Sequence, residues 1–276
     1  MLKLLKIQNL IQKIIKMWQK VKIIYDGYAQ LPTVIEYLGY LRIFYSYRIN
    51  NKSVINYFEI DPENLKITYR NKKPVFNVGD KGCFDDSGVM PSCIISDLLY
   101  YTGWNIQKGT VPYGHGIGIA KFNHEKNLFE RLSNWPVLDR SENVPFLANS
   151  PFVIKNKMYF CNGSGWEKNM PFYSIWVAEY KKRWIAKKKL TGGEKEACSR
   201  PFLYNNKLYF SKKTINKNYE IYNYDILTKI TTKILSKSKS GWDCEMVCYP
   251  WIINNLMFYN GNNYGETGIG IAKCNI

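Results

Sequence analysis

The sequence predicts an all-β protein, a five-bladed β-propeller that is closed by an N-terminal strand and preceded by a short amphipathic helix. From residue 21 onward, short apolar and aromatic runs alternate with turns rich in Asn, Gly and Asp, which is typical of strands. A Pro followed by apolar residues recurs five times, at intervals of 59, 60, 50 and 49 residues, close to the length of one propeller blade. The last repeat lacks a fourth strand, which the start of the chain can supply. The prolines are Pro32, Pro91, Pro151, Pro201 and Pro250.

Residues 1–20 have apolar residues at helical spacing with lysines between them, which predicts a basic amphipathic helix. One interpretation is an anchor on an anionic membrane surface, and the other is a helix packed on its own domain. We therefore divide the chain into a helix over 1–20 and a propeller domain over 21–276.

Each repeat continues after its Pro strand with three further strands. The second strands are expected at 41–47, 98–104, 158–163, 208–211 and 257–261. The third strands are expected at 54–60, 117–122, 174–180, 219–224 and 269–274, and the fourth at 65–69, 129–132, 184–188 and 229–235. The segment 19–25 is expected to complete the fifth blade and close the ring, because closure removes exposed sheet edges.

Composition narrows the partners and the compartment. The net charge of +17 predicts attraction to anions such as nucleic acid, phosphorylated substrates or an anionic membrane. Nucleic acid is the least favoured, because the lysines are scattered and no binding motif is present. Seven cysteines without a CxxC pair indicate reduced thiols and no zinc site. With no signal peptide or membrane-spanning run, we expect a cytoplasmic protein, at most bound to the inner face of the membrane, and no cofactor.

Acidic residues occupy one offset in three repeats. The fifth residue before the Pro is Asp86, Glu196 or Glu245. In a propeller these positions precede the innermost strands, so we expect three carboxylates to converge on one funnel. A pair of carboxyl groups is what cleavage of a glycosidic bond requires, and mutual repulsion would raise one pKa. The alternative is that these acids cap loops or pair with lysines.

Further polar and aromatic residues are expected at the same funnel. They stand one or two residues before a Pro, at the ends of second strands, or beside the acids. His115 lies in a loop of the second repeat, as a proton carrier or simply as a polar loop residue. For the tryptophans, stacking on a sugar and packing between blades are both open. The set is Gln30, Asp85, Trp104, Asn105, His115, Asn149, Trp166, Ser199, Arg200, Asp243, Asn260 and Asn262.

Several of these motifs together resemble a bacterial glycosidase-like group related to the five-bladed propellers of glycoside hydrolase families 43, 32 and 130. The matching segments are 84–92 (FDDSGVMPS), 100–105, 111–113, 136–141, 149–152, 163–166, 200–201, 241–246 and 259–262. The resemblance spans nearly all of residues 26–276, and members of the group often lie among genes for surface polysaccharides.

The resemblance implies a carbohydrate substrate, phosphate-bearing or lipid-linked, and a role in surface-polysaccharide assembly. Enzymes of family 43 carry an acid directly before, or two residues before, the blade prolines, where this chain has Leu31, Ser150 and Ser199. The leading hypothesis is an enzyme acting on a glycosidic or glycosyl-phosphate bond. One of Asp86 and Glu245 would be the general acid and the other the base or nucleophile, with Glu196 tuning their pKa values. The second hypothesis is a glycan-binding propeller without catalysis.

Overall fold

The computed structural model describes residues 18–274. Over this range the chain is all-β and forms twenty strands and one short helical turn. The helix predicted over 1–20 lies mostly outside the described residues, but its last three residues belong to strand β1, Trp18–Tyr25. The helical prediction extended too far because Trp18 is buried and pairs with Cys274 at the other end of the chain.

The strands form antiparallel groups of four, in the order that the repeats predicted. The first two groups contain β2 (Gln30–Tyr37), β3 (Tyr40–Ile49), β4 (Lys52–Ile60) and β5 (Ile67–Arg70), then β6 (Gly88–Ile95), β7 (Leu98–Ile106), β8 (Tyr113–Asn123) and β9 (Leu128–Arg131). A single parallel bridge, Ser53 to Gly88, joins the two groups into an eight-stranded sheet.

The third and fourth groups repeat this plan. They contain β10 (Ala148–Ile154), β11 (Lys157–Glu167), β12 (Met170–Lys181) and β13 (Arg183–Thr191), then β14 (Glu196–Tyr204), β15 (Lys207–Thr214), β16 (Glu220–Asp225) and β17 (Thr231–Leu235). Again one parallel bridge, Tyr173 to Ala197, joins them.

The last group combines both ends of the chain. It contains β18 (Cys248–Ile253), β19 (Leu256–Asn260) and β20 (Ile269–Cys274), and β1 pairs antiparallel with β20 as its fourth strand. The turn α1 (Asn262–Gly265) links β19 to β20, and Asn263 and Tyr264 within it have positive φ values of 50° and 62°.

The repeated prolines set a shared backbone distortion. In four first strands the residue before the Pro has a positive φ of 52° to 60°, a conformation that non-glycine residues seldom adopt. The strand register shifts at this point, which is the mark of a β-bulge. The four residues are Leu31, Ser150, Arg200 and Tyr249.

A side chain from the second strand of a neighbouring group holds each of these distorted residues. The backbone N–H of Leu31 donates to Asn260 Oδ1, and that of Ser150 donates to Thr102 Oγ1, each at 2.8 Å. The backbone N–H of Arg200 donates to Cys161 Sγ at 3.2 Å, and that of Tyr249 donates to Ser211 Oγ at 2.6 Å. These bonds satisfy buried donors and fix neighbouring groups against each other. They therefore determine where the residues beside each Pro point.

Beneath these residues the first strands pack tightly together. Phe202 lies 4.5 Å from Trp251 and 4.9 Å from Phe152 between ring centroids. Each of these aromatic residues follows a repeated Pro. The interior below the distorted residues is therefore filled by side chains and holds no open channel at this level.

Candidate functional site

A cavity of about 360 Å³ opens above the distorted residues, at the point where the first strands meet. This volume is typical of a small-molecule site. The residues beside the repeated prolines form its floor: Gln30, Leu31, Met90, Asn149, Ser150, Ser199 and Tyr249. Residues from second strands, third strands and loops form its wall: Arg48, Trp104, Tyr113, His115, Asn169, Met170, Pro171, Tyr173, Lys213, Tyr219 and Tyr264.

The cavity carries cations and no carboxylate. Arg48 and Lys213 contribute the formal charges, and the lining, drawn from residues 18–274, contains neither Asp nor Glu. Lys213 Nζ donates to the Tyr264 hydroxyl at 3.0 Å and lies 4.9 Å from the centre of the Tyr219 ring. Among the ion pairs between described residues, neither Arg48 nor Lys213 takes part. The wall is thus suited to an anionic group.

His115 and Asn149 form a hydrogen-bonded pair in the cavity wall. Asn149 Nδ2 lies 3.1 Å from His115 Nδ1, and the amide nitrogen can only donate, so Nδ1 accepts. The proton of the neutral ring is then on Nε2. Burial lowers the pKa of His115 to about 4, so the ring is uncharged at neutral pH. The His115 ring stacks on Tyr113 at 4.9 Å between centroids.

The tyrosines of the cavity are hydroxyl donors. Burial raises the pKa of Tyr173, Tyr219 and Tyr249 well above the ordinary value. Their phenols therefore stay protonated, and each offers both an apolar ring and a polar tip. This combination suits a sugar, which has apolar C–H faces and many hydroxyls.

The three acids expected to converge lie outside this lining. Asp86 accepts hydrogen bonds from Gly82 N at 2.9 Å and from Ser87 Oγ at 2.8 Å, in the turn before β6. Glu196 forms an ion pair with Lys212 at 2.7 Å. Glu245 is exposed in the turn before β18. Five residues of extended chain span roughly 16 Å, which is why acids at this offset lie away from the floor that the prolines define. Their convergence on one funnel stays a prediction.

The electrostatics of Glu196 also differ from those expected of a catalytic acid. Burial alone would raise its pKa, but the hydrogen bonds from Lys212 and from the Gly193 amide outweigh burial, and the pKa is lowered. Glu196 is therefore ionised at neutral pH.

Asp85 and Asp243 occupy equivalent buried positions in two groups. Asp85 Oδ2 accepts from Tyr101 Oη at 2.9 Å and pairs with Arg131 at 2.8 Å. Asp243 Oδ2 accepts from Tyr259 Oη at 3.1 Å and pairs with Lys20 at 2.6 Å. In both cases the carboxylate joins the second strand of a group to its fourth strand. These contacts place both aspartates within the groups, away from the cavity lining.

Arg200 lies under the cavity floor and is 2% exposed. Its guanidinium donates to the carbonyls of Pro91 and Pro32 at 2.7 Å each and to Thr33 Oγ1 at 2.7 Å. Arg200, which was expected at the funnel, therefore connects β14 to β2 and β6 beneath it. Burial lowers the pKa of Arg200 to about 9.

The remaining candidates lie in several places. Gln30, Trp104, His115 and Asn149 line the cavity. Asn105 lines a small recess beside it, and Trp166 lines an adjoining groove. Asn260 holds the backbone of Leu31, while Asn262 Oδ1 accepts from Glu245 N at 2.7 Å.

Sequence reasoning missed Arg48, Lys213 and Tyr249. The strand register holds a signal for two of them. Arg48 and Lys213 each stand two residues after a second-strand residue, Ser46 or Ser211, that faces the first strand. Trp104 stands at this same position after Thr102. Tyr249 stands directly before Pro250, so the spacing from the prolines could have found it.

No metal site or membrane span is found in the described part of the chain. Between residues 18 and 274, no group of three or more His, Cys, Asp or Glu side chains is arranged to hold a metal ion. No helix in that range has the length and apolar character needed to cross a bilayer.

Comparison with known sequences finds similar chains but no matching family model. No protein-family model matches the chain. An uncharacterized protein of Mycobacterium tuberculosis, Rv1502, is 29% identical over 263 residues, which cover 84% of this chain and 87% of that protein.

Comparison with solved structures identifies the fold. A complex of BT0996 with RGII has a TM-score of 0.70 at 12% identity, and the match covers 98% of this chain and 96% of that protein. A thermostable family-43 glycoside hydrolase has a TM-score of 0.57 at 12% identity, covering 89% and 88%. The β-1,2-mannobiose phosphorylase of Listeria innocua, in complex with β-1,2-mannobiose, has a TM-score of 0.55 at 15% identity, covering 94% and 94%. The chain therefore shares the all-β fold of glycoside hydrolases and glycoside phosphorylases.

Proposed function

We propose that the protein is a carbohydrate-active propeller whose cavity binds a sugar bearing a phosphate and acts on the glycosyl-phosphate bond. The observation that carries this proposal is a cavity lined by Arg48, Lys213 and aromatic residues, with no carboxylate in its lining from residues 18–274. The five groups of four strands are taken as five blades, with β1 closing the ring.

The cations would serve the phosphate and the rings would serve the sugar. A Lys ammonium or Arg guanidinium hydrogen-bonded to phosphate forms a charge-assisted bond, about twice as strong as a neutral one. Tyr264 already orients Lys213 Nζ at 3.0 Å. Trp104, whose Nε1 donates to Ser53 Oγ at 2.6 Å, offers a fixed aromatic surface for a sugar face.

Glycosyl-phosphate chemistry fits this set of groups. The bond between the anomeric carbon and the phosphate oxygen breaks, and the phosphate leaves with the bonding electrons. An acceptor hydroxyl oxygen forms the new bond to the anomeric carbon, and its proton passes to the phosphate. Lys213 and Arg48 would stabilise the charge on the leaving phosphate, which is the electrostatic part of catalysis. In the reverse direction the same groups would hold inorganic phosphate as the attacking group.

Hydrolysis by displaced carboxylates is the second candidate, favoured by the fold shared with glycoside hydrolases. In this mechanism Asp86 and Glu245 would act as acid and base, and Glu196 would tune their pKa values. The lowered pKa of Glu196 and its ion pair with Lys212 argue against Glu196 as a proton donor.

A mass-spectrometric turnover assay tests these candidates together. The protein is incubated with sugar phosphates, nucleotide sugars and neutral oligosaccharides, and binding is followed by the melting temperature. We expect a phosphate-bearing sugar to be converted, and Lys213→Gln to lower kcat/KM at least tenfold. The exposed Lys187→Gln is the matched control.

Three other outcomes of this assay are informative. Loss of turnover in Asp86→Asn and Glu245→Gln, with Lys213→Gln unaffected, would favour the carboxylate mechanism. Binding of a phosphate-bearing sugar without turnover would make the protein a glycan-binding propeller. Binding of neutral sugars alone would contradict a phosphate site.

The proposal extends to a cellular role. The resemblance to a group encoded among surface-polysaccharide genes, together with the net charge of +17, supports a role in assembling a surface glycan from a phosphate-bearing or lipid-linked precursor. Such a role places the protein in the cytoplasm, with residues 1–17 available for contact with the anionic inner face of the membrane.

A further inference from the structure

A second, larger space lies beside the cavity. This side groove of about 630 Å³ is lined by Gln107, Tyr113, Arg140, Phe146, Trp166 and Lys168, among others. It lies between the loop joining β7 to β8 and the hairpin of β11 and β12. The reaction proposed for the cavity makes no use of it.

The side groove adjoins the cavity. Tyr113 lines both spaces. A small recess of about 70 Å³ shares His115 with the cavity, and it shares Gln107, Arg140 and Phe146 with the side groove. The cavity and the side groove therefore lie next to each other, with these residues between them.

Aromatic rings follow this path from one space to the next. His115 lies 4.9 Å from Tyr113 between centroids, and Tyr113 lies 5.2 Å from Trp166 in an edge-to-face arrangement. Phe146 adds a ring that is 43% exposed. Rings placed one after another suit a chain of sugar units.

The charges along the side groove are mainly positive. Arg140 and Lys168 are exposed at its edge, and neither takes part in an ion pair between described residues. One carboxylate, Asp139, lies in the recess. The net field favours an acidic group on the ligand, and the amide of Gln107 can both donate to and accept from hydroxyls.

We propose that the side groove is a second carbohydrate subsite, which binds the continuation of an acidic oligosaccharide whose first unit occupies the cavity. The inference rests on the proposed function of the cavity and extends it from a single sugar to a chain. It commits to an oligosaccharide because aromatic rings in contact with one another lead from the cavity to the side groove.

The test measures affinity against ligand length. Calorimetry is carried out on the full chain with α-1,4-linked oligogalacturonates of one to five units, and with neutral malto-oligosaccharides of the same lengths. We expect the acidic series to gain at least tenfold in affinity between one and four units, and the neutral series to bind more weakly at every length.

Variants of the side groove test whether it causes the gain in affinity with ligand length. Trp166→Ala and Arg140→Ala should reduce the affinity of the four-unit ligand to near that of the single unit, and leave the single unit unchanged. Lys168 has a φ of 54°, so Lys168→Asn is used to keep that backbone conformation accessible. Arg183→Ala, an exposed change on β13, is the control, and melting temperatures verify folding of every variant.

Several results would overturn the inference. Affinity independent of length, an unchanged gain in the groove variants, or no binding by either series would each do so. Binding of uridine diphosphate that is lost in Trp166→Ala would reassign the side groove to a nucleoside. A sugar monophosphate is large enough to fill only the cavity. Its binding to the wild-type protein therefore tests the proposed function of the cavity independently of the side groove.

Discussion

The pair of His115 and Asn149 gives the sharpest test of the cavity geometry. Asn149→Asp replaces an amide donor by a carboxylate acceptor 3.1 Å from His115 Nδ1, with almost no change in shape. In wild type, burial holds the pKa of His115 at about 4. A carboxylate at this position should favour the protonated ring and raise that pKa.

The expected size follows from the distance. Two unit charges 3.1 Å apart attract by about 5 kcal/mol at an effective dielectric constant of about 20. One pKa unit corresponds to about 1.4 kcal/mol, so this attraction alone is worth roughly 4 units. Desolvation of the new carboxylate removes part of it. We expect a net rise of at least about 2 units in the pKa of His115.

The assay is a two-dimensional ¹H–¹⁵N titration of the imidazole rings. The chain has only two histidines, and the exposed His124, bound to Asp97 at 2.9 Å, is an internal reference. Wild type should show a neutral His115 with the proton on Nε2 down to about pH 4. A wild-type pKa near 6.5, a proton on Nδ1, or no rise in Asn149→Asp would refute the reasoning.

Three further predictions concern stability. The pKa of His115 is lower in the folded chain than in the unfolded chain, so lowering the pH from 6.5 to 4 should remove up to about 3 kcal/mol of unfolding free energy. In urea titrations, the unfolding free energy of His115→Gln should not show this loss. Asp85→Asn should lower the unfolding free energy by about 2 to 3 kcal/mol, because the buried ion pair with Arg131 is broken, and should keep the ligand affinity of the cavity. The exposed Asp80→Asn is its control. Unchanged stability with lost ligand binding would contradict the structural role of Asp85. Arg200→Met should destabilise by several kcal/mol, because it leaves the carbonyls of Pro32 and Pro91 without their donors; a melting temperature equal to wild type would count against the tie between first strands.

The sequence was sufficient for the all-β fold because each repeat combines a Pro, an aromatic second strand and a turn. A shared motif illustrates the repeat: residues 116–121 and 268–273 both read GIGIAK, and Gly118 and Gly270 occupy equivalent places in them. A Cβ on Gly118 would lie 2.2 Å from the Tyr101 ring, and one on Gly270 would lie 2.3 Å from Trp242. Each glycine therefore leaves room for an aromatic ring, although the ring comes from a second strand in one group and from the turn before a first strand in the other.

The site was only partly accessible from sequence. Positions one or two residues before each Pro were predicted to face the site, and Gln30, Asn149 and Ser199 do line the cavity because the bulge turns them toward it. The acids predicted from the position five residues before each Pro lie outside the floor of the cavity. Arg200 obeyed the first rule but lies underneath, because its long side chain reaches the carbonyls of neighbouring strands. Such differences depend on packing between groups, which the order of residues alone does not determine.

A structure of the protein with mannose 1-phosphate tests the central claim most directly. Crystals soaked with this compound should show its phosphate within hydrogen-bonding distance of Lys213 Nζ or the Arg48 guanidinium, and its sugar ring against the aromatic wall of the cavity. An empty cavity at saturating concentration, or a sugar bound instead beside Asp86, Glu196 and Glu245, would contradict a phosphate-sugar site in the cavity.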